Sequence, residues 1–196
     1  MAFKVFGYLP SYRYYLINDI EFSKLTHVCL SFVNPDESGN FSYSKSISDV
    51  IEKAKPFGCK VFISIGGGGL TEEVENTYRL ETEFDKRASF INKLMIFARA
   101  ENVDGIDIDL EGSMVQMPTY DEFVQDLIDS AHASKIEVSA ALARWSGIDI
   151  ESSTLERLDF INIMSYDLTG PWTGPGQHAP MSQVENEFNY WHGRGV

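Results

Sequence analysis

Residues 103–112 read "VDGIDIDLEG", Val103 to Gly112. Asp104, Asp107, Asp109 and Glu111 put four carboxylates into eight residues of an otherwise apolar, β-prone run. Side chains on a strand alternate faces. Asp107, Asp109 and Glu111 therefore share one face, with about 7 Å between neighbours two residues apart. Ile106, Ile108 and Leu110 take the other. A strand in a barrel accounts for both faces: the aliphatic one points at the surrounding helices, the acidic one into the barrel. Glu111, furthest along, then reaches the C-terminal mouth, where barrel enzymes do their chemistry. Like charges buried together are costly, so two close carboxylates are expected to share a proton. A raised pKa on the outermost one suits a general acid near neutral pH. The competing reading, a solvated edge strand with acidic decoration, is disfavoured because the intervening residues are all Ile or Leu.

Working outward, five more runs read as strands: 3–9 (FKVFGYL), 26–33 (THVCLSFV), 59–65 (CKVFISI), 136–142 (IEVSAAL) and 158–166 (LDFINIMSY). They are continuously apolar rather than alternating, which suggests strands covered on both faces, as in a parallel sheet. Helical periodicity lies between them. The segment 46–55 carries Ile47, Val50, Ile51 and Ala54 on one stripe and ends at Pro56-Phe57-Gly58. Residues 84–100 carry Phe84, Ala88, Ile91, Leu94, Met95 and Ala98, with Thr82 as the expected N-cap. Residues 120–133 repeat the theme with Phe123, Leu127, Ile128 and Ala131, and 182–193 reads as one more helix. The alternation implies βαβ crossovers and about six strand-plus-helix units in one domain, 1–196, with no linker or low-complexity tract. Alternation by itself leaves both the doubly wound fold and the eight-fold barrel open.

The chain has 196 residues, 43% hydrophobic and 23% charged, as expected of one globular domain. Its formal net charge of −13 argues against nucleic-acid phosphates and an anionic membrane surface, and favours a neutral small molecule or polymer. Cys29 and Cys59 have no disulfide-scaffold or metal-ligand spacing and read as buried thiols. No stretch is long and apolar enough to insert in a bilayer, and "MAFKVFGYLP" does not read as a signal peptide. Asn40-Phe41-Ser42 matches a glycosylation sequon and reads as part of a turn. "GGGG" (Gly66–Gly69) follows a strand but has Thr71 where the dinucleotide fingerprint needs Gly, and it lacks the Gly-Lys-Ser/Thr end of a P-loop. The four histidines, His27, His132, His178 and His192, are scattered. No metal site or cofactor is implied.

The carboxylate strand "DGIDIDLE" resembles the Asp-Gly-x-Asp-x-Asp-x-Glu signature of glycoside hydrolase family 18, the chitinases and related endo-β-N-acetylglucosaminidases. "SIGG" (Ser64–Gly67) resembles the family's Ser-x-Gly-Gly after the third barrel strand, and "FINIMSYDLTG" (Phe160–Gly170) its sixth-strand Met-x-Tyr-Asp segment. The segment from Phe84 into the signature is similar to the helix that leads into the catalytic strand. The resemblance implies an α/β TIM (β/α)8 barrel. It implies Glu111 as the acid that protonates the glycosidic oxygen, Asp109 as the group that orients the substrate's 2-acetamido group, Asp107 as its proton-sharing partner and Tyr166 as the donor to the acetamide carbonyl. The nucleophile would be that acetamide oxygen, an exception to the two-carboxylate scheme. Tyr8, Phe32, Gly67, Met164, Asp167 and Trp172 are the expected substrate-binding residues, with Trp145 also at a strand end and Asp104 expected to be structural. Sugars stack on aromatic rings; for Tyr8 and Phe32 plain core packing is the less favoured alternative.

Two departures stand out. Leu110 occupies a position where the family usually has an aromatic residue. The chain also carries about six strands of an eight-stranded barrel of roughly 250 residues, so it is expected to be truncated before strands 7 and 8. The expected partner is an N-acetylglucosamine-containing oligo- or polysaccharide. The expected location, taken from the family, is secreted, periplasmic or at the cell surface. An endo-β-N-acetylglucosaminidase acting on N-glycan cores, a non-catalytic carbohydrate-binding protein on the same barrel, and a doubly wound binding domain are the alternatives.

Overall fold

The computed structural model describes residues 4–147 and 149–196; Phe3, where the first strand was expected to begin, lies outside them. Six strands form one sheet: β1 (Phe6–Pro10), β2 (His27–Ser31), β3 (Lys60–Gly66), β4 (Gly105–Asp109), β5 (Glu137–Leu142) and β6 (Phe160–Ile163). Each pairs in parallel with the next, so spatial order equals chain order. A doubly wound sheet reverses order near its middle, and this one does not.

Contacts between the two edge strands decide the shape. In a flat sheet of six strands, β1 and β6 would lie about 24 Å apart at the usual strand spacing. Here the Asn162 side-chain amide donates to Tyr8 Oη at 3.0 Å, and the Phe6 and Phe160 rings are 5.4 Å apart. The sheet therefore curls into the arc of a TIM-type barrel.

The pleat sorts residues as the sequence of β4 implies. Leu9, Val28, Leu30, Val61, Ile63, Ile65, Ile106, Ile108, Val138, Ala140 and Leu142 are buried in the core together with residues of the helices. The helices are α1 (Ile47–Ala54), α2 (Glu72–Glu81), α3 (Phe84–Ala100), α4 (Tyr120–Ala133), α5 (Ser152–Leu155) and α6 (Met181–His192). They contribute Ile47, Val50, Tyr78, Phe90, Leu94, Phe123, Leu127, Leu155 and Trp191, among others. Cys29 and Cys59 are buried free thiols.

Local chemistry sets the element ends. Ser46 caps α1 by accepting the Asp49 N–H at 3.2 Å. Thr71 caps α2, whose first turn carries Glu72, Glu73 and Glu75 against the positive end of the helix. The α2 helix was not expected, because its apolar stripe is reduced to Val74 and Tyr78. Thr82 is not the N-cap of α3. That position belongs to Glu83, which makes no side-chain cap bond, while Thr82 Oγ1 donates to the Tyr78 carbonyl at the end of α2. The buried stripe of α3 is Phe90, Ile91, Leu94, Met95 and Ala98, whereas Phe84 and Ala88 face solvent.

At the strand starts, side chains satisfy backbone donors. Asp104 accepts the Val61 N–H at 2.8 Å, and Asp159 accepts the Val138 N–H at 2.8 Å. Asp104 thus has a structural task away from the mouth. Inside the barrel floor, the His27 ring stacks on Phe6 at 4.2 Å and meets Phe62 and Phe160 edge-on. Gly105 is required next to that cluster, because a Cβ there would fall on the Phe62 ring.

Candidate active site

The site rises in three layers from this aromatic floor, each layer one pleat higher on β4. The lowest layer centres on Asp107, which has no exposed surface. Its Oδ2 accepts from Tyr8 Oη at 3.0 Å and Ser64 Oγ at 2.8 Å. Its Oδ1 accepts from Ser139 Oγ and from the Asn162 amide at 3.2 Å. The donors come from β1, β3, β5 and β6, so only curvature of the sheet brings them to one carboxylate. Burial pushes Asp107 above the ordinary carboxylate range, and the four donors pull it back.

Asp109 lies one pleat above and is 6% exposed. Burial, then the neighbouring Asp107 and Glu111 carboxylates, push it up to about 8. Its Oδ1 is buried with no hydrogen-bond partner among the described residues. Each Asp107 oxygen has two donors while Asp109 has an orphaned one, so the anion belongs on Asp107 and the proton on Asp109. The pair titrates as a unit.

Glu111 forms the top layer, half-buried at the mouth. Burial raises its proton affinity first, the Gly68 N–H beside it lowers it, and the Asp167 carboxylate raises it again. Tyr166 is raised by burial and by the facing Asp109 and Glu111. Two clefts meet at Glu111, Met164 and Tyr166. One, of about 420 Å³, is lined by Tyr8, Tyr12, Phe32, Gly68, Asp109 and Asn162 as well. The other, of about 490 Å³, adds Trp145, Asp167, Leu168 and Trp172.

The β3 end shapes the first cleft. Asn34 accepts the Gly66 N–H at 2.8 Å and donates to the Gly66 carbonyl at 2.9 Å, and Tyr78 Oη donates to the same Asn34 oxygen. Gly67 has φ 99°, open to glycine, and donates its N–H to the Asp109 carbonyl at 2.6 Å. A Cβ on Gly67 would fall on the Phe32 ring.

The structure thus brings Glu111, Asp109, Tyr166, Tyr8, Phe32 and Met164 to the first cleft. Asp107 lies beneath it, and Asp167 and Trp172 stand in the second cleft beside Glu111. Gly67 lies behind Phe32, and Gly68 faces the cleft in its place. Asn162 and Ser139 were not singled out from sequence. The available signal was a polar residue at an inward pleat of an otherwise apolar strand. His178, one of the four histidines scattered along the sequence, lies at the mouth, with Nδ1 3.2 Å from Asp167 Oδ1. Among the described residues, no helix is long and apolar enough to cross a membrane.

Solved structures share this architecture. A family 18 chitinase from the chitin utilization locus of Flavobacterium johnsoniae superposes with a TM-score of 0.92 at 32% identity, over 98% of this chain and 64% of that one. A class V chitinase variant from Nicotiana tobaccum, solved in complex with NAG4, has the same fold, with a TM-score of 0.77 at 23% identity over 97% of this chain and 63% of that one. In sequence, the endochitinase of Manduca sexta is 25% identical over 198 residues, covering 89% of this chain. The chain spans only 36% of that relative's length. The family model described as "Glycosyl hydrolases family 18" matches residues 4–196, so that signature strand, inward ladder and fold all carry one assignment: the chain belongs to glycosyl hydrolase family 18.

Proposed function

We propose that the protein hydrolyses β-1,4 links between N-acetylglucosamine units with retention of anomeric configuration, using the substrate's own acetamide as nucleophile. The observation that carries this reading is the position of Glu111, a carboxyl of raised proton affinity at the junction of two clefts, directly above the Asp109–Asp107 pair. A carboxyl of raised proton affinity next to a sugar-sized cleft is suited to protonate a leaving oxygen.

In this reading the sugar on the leaving side lies along Trp145 and Trp172, and the reacting sugar sits between Tyr8, Phe32 and Tyr166. Glu111 donates its proton to the bridging oxygen as the acetamide carbonyl oxygen attacks the anomeric carbon. The resulting oxazolinium carries positive charge, which the carboxylate ladder beneath it is placed to balance. Asp109 holds the acetamide N–H and Tyr166 Oη the carbonyl. The Asp109 proton passes to Asp107 as Asp109 turns to the substrate, and the Tyr8, Ser64, Ser139 and Asn162 donors keep Asp107 in place. Water then opens the oxazolinium with Glu111 as base, which restores the acid and yields the β-anomer. A neutral polymer suits a chain of charge −13. The NAG4 bound to the tobacco chitinase variant favours a chito-oligosaccharide ligand. A polymer of this kind lies outside the cell, and a Penicillium expansum relative is named a secreted chitinase; we place this protein there too.

The test uses the full-length protein with soluble chito-oligosaccharides and follows product anomers by NMR. The expected result is an initial β-anomer, with Glu111→Gln losing nearly all turnover and keeping oligosaccharide binding. Initial α-anomer, or unchanged turnover in Glu111→Gln, would sink the mechanism. Release of glycan from a high-mannose glycoprotein with chitin untouched would move the substrate to N-glycan cores.

A further inference from the structure

The loop that leaves β6 folds back on itself, and one residue of its return leg holds three consecutive residues of its outgoing leg. The His178 carbonyl accepts the Leu168 N–H at 3.1 Å. The His178 Nδ1 is 3.2 Å from Asp167 Oδ1. The His178 ring lies over the Tyr166 ring, with centroids 6.4 Å apart and planes 23° apart. One step along, Thr169 Oγ1 donates to the Gly176 carbonyl at 3.1 Å. Asp167 itself sits at φ 55°, a left-handed conformation uncommon outside glycine that persists where surroundings hold it.

All three clamped residues line the second cleft beside Glu111. An exposed His–Asp pair adds little to stability by itself, so its consequence lies in what the pair faces. The Asp167 carboxylate bears on Glu111 and on Tyr166. The ionisable groups facing this cluster are Asp109, Glu111, Tyr166 and Asp167, with Asp107 deeper. Three are carboxylates above the barrel floor, and the His178 ring brings a basic nitrogen to their edge, 3.2 Å from Asp167 Oδ1.

We propose that His178 is a positioning residue for the acid chemistry at Glu111: it clamps the Tyr166–Leu168 turn and, when charged, partly neutralises Asp167 where that carboxylate faces Glu111. This deepens the reading of Glu111 as proton donor and rests on it. The sign follows from electrostatics. An uncompensated Asp167 carboxylate makes Glu111 hold its proton to higher pH, and an imidazolium beside Asp167 relieves part of that effect. Loss of His178 and loss of Asp167 therefore push Glu111 in opposite directions, which a purely structural role for the loop would not do.

The experiment measures kcat/KM against pH on a soluble chito-oligosaccharide, whose alkaline limb reports the acid of the free enzyme. In parallel it follows the Glu111 carboxyl titration by ¹³C NMR. The full-length protein is compared with His178→Asn, His178→Lys, Asp167→Asn and the double variant. The expected result is an alkaline limb and a Glu111 midpoint about half a pH unit higher in His178→Asn and lower in Asp167→Asn. His178→Lys, which keeps a cation, stays close to the unsubstituted protein. His178→Asn adds no shift in the Asp167→Asn background. Equal limbs in all variants, or shifts of one sign for both single substitutions, overturn the proposal. If the unsubstituted protein cleaves nothing, the hydrolase reading has failed and the role of His178 falls with it. If it is active and the Glu111 midpoint ignores His178→Asn, only the role of His178 is lost.

Discussion

Asp109→Asn isolates the energetic consequence of stacking carboxylates inside this barrel. In the folded protein, burial and then the Asp107 and Glu111 carboxylates raise Asp109 from 3.8 to about 8. The native state therefore binds this proton more tightly than the unfolded chain does. Below about pH 3.8 both states hold the proton and the site contributes nothing to the pH dependence. Between the two values the native state must keep a proton that the unfolded chain has released, so stability falls as pH rises. Above about 8 the full penalty is present. The span is roughly four pH units, and at about 1.36 kcal/mol per unit the ceiling is on the order of 5 kcal/mol. Relaxation and water entry reduce such penalties, so about 2–4 kcal/mol is expected. Asparagine keeps the shape and removes the charge. The variant and the unsubstituted protein should then match near pH 4, and the variant should be more stable by about 2–4 kcal/mol at pH 8.5. Urea denaturation followed by tryptophan fluorescence at several pH values reads the difference, in which the titrations of groups remote from the ladder cancel. A difference curve that stays flat, or a variant less stable at pH 8.5, refutes the argument that the ladder is buried, unpaired at Asp109 and aimed inward.

Gly105→Ala places a methyl on the Phe62 ring, and overpacking of this kind costs about 1–3 kcal/mol; the urea midpoint should fall at constant m-value, and an unchanged midpoint would show the floor to be loosely packed. Asn162→Leu deletes the amide that reaches both Tyr8 Oη and Asp107. A hydrogen bond to a charged partner contributes about 1.5–3 kcal/mol, so kcat on a chito-oligosaccharide should drop roughly ten- to a hundredfold with little change in KM; an unaltered kcat removes Asn162 from the machinery. Trp172→Ala takes an indole that is 67% exposed out of the second cleft. Aromatic contacts of this type contribute about 0.5–1.5 kcal/mol, so oligosaccharide binding, measured calorimetrically in the Glu111→Gln background, should weaken about two- to tenfold; equal affinity would place the sugar elsewhere.

The local pattern of β4 was enough to assign its two faces, because a pleat of period two leaves no freedom about which side chains travel together. The order of the strands, and the lengths of α3 and α4, followed from equally local periodicity. What failed locally is instructive. The α2 helix has too few apolar residues to be seen by period, since its buried side chains are only Thr77 and Tyr78, the latter bonded to Asn34. Thr82 looked like a helix start because a threonine hydroxyl satisfies an N-terminal amide or a C-terminal carbonyl equally well, and only the neighbouring helix determines which. Sequence by itself therefore determined that Asp107, Asp109 and Glu111 lie on one inward line and that aliphatic residues back them. Tertiary structure alone decided that Tyr8, Ser64, Ser139 and Asn162 converge on Asp107, that Gly68 rather than Gly67 meets the cleft, and that His178 reaches Asp167. Those contacts join residues up to 99 positions apart, and their distances depend on how far the sheet curls, a property of all six strands together that no single stretch of chain encodes.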